Sequence, residues 1–417
     1  MPDSQPWQPD DHAAETAGGP ESSALTLCGA RLADGRVVDV RVCGGRIEAV
    51  GTAGSLTAPG ARLDLRGHLL LPAPAEPHAH SDTALTADGA GPASQHPEDV
   101  QRRATEAALL QLGHGATALR SHVRIGDIQG LAALEAVLQA RRSLRGLAEL
   151  TPVAVPRLLT GVAGAGNLAM LRDAVKMGAG AVGGCPDLDP DPSGYVEAVL
   201  EIAAEHGCPV DLHTDGDDPA RLARFAALAG GLRQEVTIGP CAGLSRLPDD
   251  AAARIAGRLA AAGVSVTCLP QGPCCGAEHR GAAPVRLLRD AGVRVAAGGG
   301  ALRDPANPVG RGDPLEAAFL LVSHGGLRPA DAYAAISAEA RHVMGLPEVR
   351  VEAGFPAELL AVRGEGLAGA LSLAYSRIVV HRGRVVARTS AVREYCGAEA
   401  GGPGLPRQGR PESTGGP

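Results

Sequence analysis

Apolar and polar positions follow two different rhythms along this chain of 417 residues. From Ala24 to Leu65 the period is two, broken by turns. Val37–Val42, then Cys43-Gly44-Gly45, then Arg46–Val50 is the pattern of a β-hairpin. The same rhythm returns at Glu358–Val362 and Arg377–Val386. The two ends therefore predict one small β-sandwich, built from residues 23–68 and 352–398. Across 69–351, strand-like runs alternate with helical ones. Strands are expected in the run leading into His78 and at Leu119–His122, Pro152–Pro156, Ala181–Cys185, Val210–His213, Val236–Gly239, Val264–Leu269 and Val293–Ala297. Helices are expected between them, for example at Pro97–Leu112, Tyr195–His206 and Asp249–Ala262. About eight such units, spaced by roughly 30 residues, predict an α/β fold of the (β/α)8, TIM-like class. Pro72, Pro74 and Pro77 make the first strand the least regular. A doubly wound open sheet would carry a glycine-rich phosphate fingerprint after its first strand, and none is present. Residues 1–22 and 399–417, rich in Pro, Gly, Ser and charge, are expected to be disordered.

Composition narrows the function. Aromatic residues make up 2% of the chain, so the core must be Leu, Val, Ile and Ala, and stacking surfaces for a ligand are scarce. A net charge of −7 without basic clusters argues against nucleic acid. No apolar run reaches the roughly 18 residues of a membrane span, and Met1–Gly19 lacks the apolar segment of a secretory signal. The 9 cysteines lack the spacing of a disulfide scaffold, which fits reduced thiols in a cytoplasm. The expected partner is a small-molecule substrate or ligand, with a homo-oligomer left open.

Candidate chemistry concentrates at the strand ends, where this architecture places reactive groups. His78 and His80 project the same way from an extended segment and can seat half of a metal site. His122 ends the second expected strand and His213 the fifth. Arg157, after strand three, could meet an anionic substrate group. Asp304 could leave a carboxylate at the mouth, although a turn is its plainer role. Cys185, Cys241, Cys274 and Cys275 fall near strand ends, where small buried thiols more often serve as hydrophobes than as metal ligands. Asp187, Asp189 and Asp191 alternate with prolines in a way that fits a turn before a helix better than a calcium loop.

The chain resembles the amidohydrolase superfamily, and within it the cytosine deaminase-like branch. The segments that carry the resemblance are Glu76-Pro77-His78-Ala79-His80-Ser81-Asp82-Thr83, Arg120-Ser121-His122-Val123, Asp211-Leu212-His213-Thr214-Asp215, Asp304-Pro305-Ala306-Asn307-Pro308-Val309-Gly310 and Gly354-Phe355-Pro356-Ala357-Glu358-Leu359-Leu360. It implies metal-dependent hydrolytic deamination of an amino-heterocycle, with zinc or iron held by His78, His80, His213 and an aspartate on strand eight. It also implies a glutamate after the strand-five histidine and a histidine on strand six to move protons. Here those three positions hold Gly216, Pro240 and Gly300. Asp215 or Asp217 would then be the substitute shuttle, and His122, Arg157 and Asp304 the substrate-contacting candidates. Ala306 and Asn307 stand where the resemblance implies an aromatic pocket wall. Two readings follow: a metal-dependent hydrolase of a non-peptide C–N bond with weakened, altered or lost activity, or a metal-free, non-catalytic scaffold that binds a ligand or partner.

Overall fold

The computed structural model describes residues 24–391 except 58, 90, 127–128, 273–281 and 374–375. Both tails expected to be disordered, residues 23 and 392–398 of the expected sandwich, and Cys274 and Cys275 fall outside the described residues.

The first five strands are β1 Leu25–Arg31, β2 Val37–Cys43, β3 Arg46–Thr52, β4 Ala61–Asp64 and β5 His68–Pro72. They share a sheet with the last three, β14 Leu359–Arg363, β15 Arg377–His381 and β16 Arg384–Thr389, in the order β16-β15-β14-β5-β1-β2-β3, with β4 added beside β1. β14 runs antiparallel to β5 from Leu359↔Pro72 to Arg363↔His68, and this pairing ties the two chain ends together. Leu27, Val40, Ile47, Leu70, Leu359 and Val380 form its apolar core. The expected hairpin turns through Gly44 and Gly45, both at positive φ (56° and 76°). That backbone matches the twist of the flanking strands and is open to glycine at little steric cost.

The second sheet is the barrel. Its parallel strands are β6 Ala75–Ala79, β7 Ala118–Ile125, β8 Glu149–Pro156, β9 Ala181–Gly184, β10 Val210–Thr214, β11 Val236–Pro240, β12 Ser265–Cys268 and β13 Val295–Ala297, adjacent in that order. Closure comes from a bridge between Ala79 and Gly300, with the Gly300 N–H donating to the His78 carbonyl at 3.0 Å. Around the outside lie α1 Pro97–Gly113, α2 Ala132–Ser143, α3 Gly161–Met177, α4 Pro192–His206, α5 Pro219–Ala229, α6 Asp249–Ala261, α7 Val285–Asp290 and α8 Pro314–Ser323. Outward strand residues such as Leu119, Val123, Leu150 and Ala154 pack with these helices in one continuous core.

One expectation needs correcting. The run leading into His78 is not a single barrel strand. It breaks at Ala73-Pro74, so that His68–Pro72 joins the terminal sheet and only Ala75–Ala79 enters the barrel. Pro74 can donate no ladder hydrogen bond, and the chain changes sheets where that donor is missing. The Asp187–Asp191 stretch behaves as a turn: Asp191 caps α4 by accepting from the Gly194 N–H at 3.0 Å.

At the seam between sheet and barrel, the buried Glu358 carboxylate accepts from His381 Nδ1 at 2.8 Å and from the Arg382 N–H at 2.9 Å. Burial pushes the Glu358 carboxyl up, but these bonds and the His381 charge outweigh it and hold it below its ordinary 4.5. A carboxyl depressed in the folded state stabilises above its unfolded pKa, and that contribution is lost as pH falls through the folded value. Glu358→Ala should therefore cost about 3 kcal/mol near neutral pH and flatten the fall of melting temperature below pH 4.5. Thermal melts across pH 3–7 check both; an unchanged acid limb would refute the assignment.

Candidate metal centre

Parity along the parallel strands decides which side chains face the barrel axis, because successive residues alternate between the two faces. On β6 and just beyond it, the inward positions are Glu76, His78 and His80. On β7 they are Arg120, His122 and Arg124. On β10 they are Asp211 and His213. The interior is thus layered, with buried polar groups at Glu76, Arg120 and Asp211 beneath buried imidazoles; burial pushes the Glu76 carboxyl up to about 8, against the N–H groups it accepts from.

Four histidines meet above those groups. His78, His80, His122 and His213 are all buried, and one potential ligand atom from each lies within 4.8 Å of the others. His78 Nε2 lies 2.7 Å from His213 Nε2, which lies 3.2 Å from His80 Nε2. The His122 ring is 4.1 Å from that of His78 and 4.4 Å from that of His213, centroid to centroid. A single Nε2 carries one proton or one lone pair, so His213 cannot make a full hydrogen bond to both neighbours. Nitrogen ligands about 2.0–2.1 Å from a shared tetrahedral ion lie about 3.4 Å apart; the His213–His80 separation of 3.2 Å is near that, and the His78–His213 separation of 2.7 Å is shorter. His213 Nδ1 and both ring nitrogens of His122 are buried without a hydrogen-bond partner. This donor set fits a divalent ion such as zinc.

The floor lies against His122. Asp211 accepts from Arg120 Nη1 at 3.0 Å, and its other oxygen lies 3.3 Å from His122 Nε2, without the alignment of a hydrogen bond. Burial drives the Asp211 carboxyl up, but His122 and Arg120 outweigh it and leave it below its ordinary value. Burial lowers His122 to about 4 despite the opposing pull of Asp211. A neutral imidazole is the form that binds a metal. Glu76 accepts from the N–H groups of His78 (3.0 Å) and Gly299 (2.8 Å), so it clamps the first strand to the chain after the last.

The other expected residues lie elsewhere. Asp215 accepts from the Gly243 N–H and pairs with Arg246 at 3.1 Å, while Asp217 stands 3.8 Å from the same arginine. Neither belongs to the histidine cluster. Asp304 accepts from the Thr83 hydroxyl at 2.8 Å and from the N–H groups of Ala306 and Asn307, as a turn carboxylate does. Arg157 is exposed just beyond β8. Cys241 is fully buried, and burial pushes its thiol far up, so it is a packed hydrophobe. His122 joins the imidazole cluster, a placement its sequence position beside the expected substrate contacts did not single out. Glu76, Arg120 and Asp211 escaped sequence reasoning, although each stands two residues before a clustered histidine.

The three departures are built into the backbone. Gly216 and Gly300 have φ of 73° and 67°, and Pro240 follows a cis peptide bond. A Cβ at Gly300 would come within 3.1 Å of the Leu269 side chain, and one at Gly216 within 3.3 Å of Leu222. On the strand-eight side, a Cβ at Gly298 would approach Glu76 Oε1 to 2.4 Å. The Glu76 carboxylate therefore fills the space that a side chain at position 298 would need.

Comparison with known proteins identifies the family. The profile of the amidohydrolase family matches residues 84–387. The chain is 26% identical to a pterin deaminase of Rhizobium rhizogenes over 89% of its own length and 90% of that protein's. The fold is similar to the crystal structure of N-isopropylammelide isopropylaminohydrolase from Burkholderia multivorans, with TM-score 0.77 and 27% identity, covering 89% of this chain and all (100%) of that one. It is also similar to 5-methylcytosine deaminase from Klebsiella pneumoniae, with TM-score 0.77 and 24% identity over 89% of this chain and 98% of that one. Among the described residues, no helix is long and apolar enough to cross a membrane.

Two outcomes follow from the geometry. Asp211→Asn leaves Arg120 buried without its counter-charge and should destabilise the fold by about 3–5 kcal/mol, whereas Arg120→Met combined with Asp211→Leu should recover most of that loss. Gly216→Glu and Gly300→Asp, which would write back the expected carboxylates, should each cost about 1–3 kcal/mol through backbone strain. Denaturation midpoints of the purified variants check both; unchanged midpoints would contradict the assignment.

Proposed function

Because the chain belongs to the amidohydrolase family, we propose that it is a divalent-metal-dependent hydrolase that cleaves a non-peptide C–N bond of an amino-heterocycle. The observation that carries this reading is the buried convergence of His78, His80, His122 and His213. In our reading His78, His80 and His213 hold the ion through Nε2. His122 takes the fourth place, which the resemblance gives to an aspartate. Bound there, zinc or iron supplies Lewis-acid activation of water near neutral pH. The kinship with a pterin deaminase and with N-isopropylammelide isopropylaminohydrolase supports hydrolysis at an amino-substituted ring carbon.

The chain's own residues set the terms of the reaction. Asp211, anchored by Arg120, orients His122 in the manner of the carboxylates that hold ligating imidazoles elsewhere. Glu76 fixes the first and last strands to each other, and so fixes His78 relative to the chain after β13. Gly216 and Pro240 offer no acid or base. A missing shuttle of this kind typically lowers rate by about 10²–10⁴-fold, so turnover is expected to be slow and to depend on how the substrate itself is held. The scaffold reading rests on the same missing groups; the buried convergence of four imidazoles, with nitrogens of His122 and His213 left unpartnered, favours the hydrolase.

Metal analysis of protein purified without chelators should find about one zinc or iron ion per chain, lost in His78→Ala and His213→Ala and reduced in His122→Ala. Ammonia release from pterin and cytosine should accompany the metal and vanish with it. A well-folded, metal-free chain, inert even after zinc is supplied, would overturn the proposal.

A further inference from the structure

Above the histidine layer two arginines stand at the ends of neighbouring strands. Arg124 follows His122 by two residues on β7, and so stands one step nearer the mouth on the same face. β8 runs parallel to β7, with His122 opposite Val153 and Arg124 opposite Val155. Val153 and Val155 pack with Ala181 in a small cluster separate from the helix-facing core, which marks them as inward residues. Arg157 continues that series one residue beyond the end of β8. The two arginines therefore sit on neighbouring strands, one diagonal step apart: about 5 Å across and about 6.6 Å along the strands.

Their side chains differ from the other arginines of the mouth. Arg221 pairs with Asp187 at 2.7 Å, Arg246 with Asp215 at 3.1 Å, and Arg303 with Asp88. Asp82 accepts from the Arg124 backbone N–H at 3.3 Å, while its own carbonyl accepts from Arg103. Among the described residues neither the Arg124 nor the Arg157 guanidinium has a hydrogen-bond or ion-pair partner, and both residues are exposed. Two guanidinium forks on neighbouring strand ends can grip a planar anion with several charge-assisted hydrogen bonds. Such a clamp would hold a ring by its substituent, which is useful where the aromatic wall is replaced by Ala306 and Asn307.

We propose that Arg124 and Arg157 form an anion-binding subsite at the barrel mouth, and that the substrate is an amino-heterocycle carrying a carboxylate. The carboxylate lies between the two guanidinium groups and the amino-bearing ring reaches down to the histidines. This assignment rests on the hydrolase reading for the ring, but not for the anion.

The test is equilibrium binding to the full chain as purified, with two matched pairs of probes: pterin and pterin-6-carboxylic acid, cytosine and cytosine-5-carboxylic acid. In at least one pair the carboxylate should bind about tenfold or more tightly than its neutral partner. Arg124→Ala and Arg157→Ala should each remove most of that preference, and Arg124→Lys should restore part of it. Equal binding of both members, no binding of any probe, or a preference that survives in both alanine variants would overturn the subsite. Ammonia released from a neutral probe as fast as from its carboxylate would overturn the subsite while sparing the hydrolase. Carboxylate-dependent binding with no ammonia released from any probe would do the reverse.

Discussion

The pairing of Arg120 with Asp211 in the barrel interior, 3.0 Å apart and out of reach of solvent, is the constraint on which the centre depends. Neither charge could be buried alone without a cost of several kcal/mol. Together they fix two strands that are not neighbours, β7 and β10, at one depth. His122 and His213 stand directly above them on those strands, so the ion pair sets the height at which the imidazoles meet. Glu76 does the equivalent work at the seam by accepting from His78 and Gly299 across the point where the barrel closes. The histidines converge above a floor held by these hydrogen bonds.

The same constraint explains the form taken by the missing carboxylate. Beyond β13 the chain must pass close to His78 and Glu76 to close the barrel, and three successive glycines let it do so. A side chain at Gly298 would collide with Glu76, and Gly300 adopts a backbone conformation in which an aspartate would be strained. In the proposed site His122, which the fold brings to the other three histidines, stands in for that ligand. Exchanging an aspartate for a histidine removes one negative charge from the centre.

Much of this protein was legible in the order of its residues. The switch from a two-residue to a mixed strand-helix rhythm, the His78-Ala79-His80 pair and the glycine turn at Gly44-Gly45 each express local geometry, and local geometry is what periodicity and backbone preference encode. The strand ends from Ala118 to Ala297 fall within a few residues of where the pattern puts them. The partition of Leu70–His80 between two sheets was not legible, because both halves are extended and apolar and only their partners tell them apart.

The sequence by itself determined the fold class, the family and the histidines that could meet, since these depend on spacing along one strand at a time. Only the tertiary structure decided that His122 belongs with the other three and that Asp215 and Asp217 turn away to Arg246. It alone decided that Arg120 and Asp211, 91 residues apart in the chain, are a pair. Those relations run between strands, where a shift of one residue in register would exchange inward for outward faces. A charge two residues before a histidine is visible in the sequence; the partner that neutralises it is visible only once the barrel has closed.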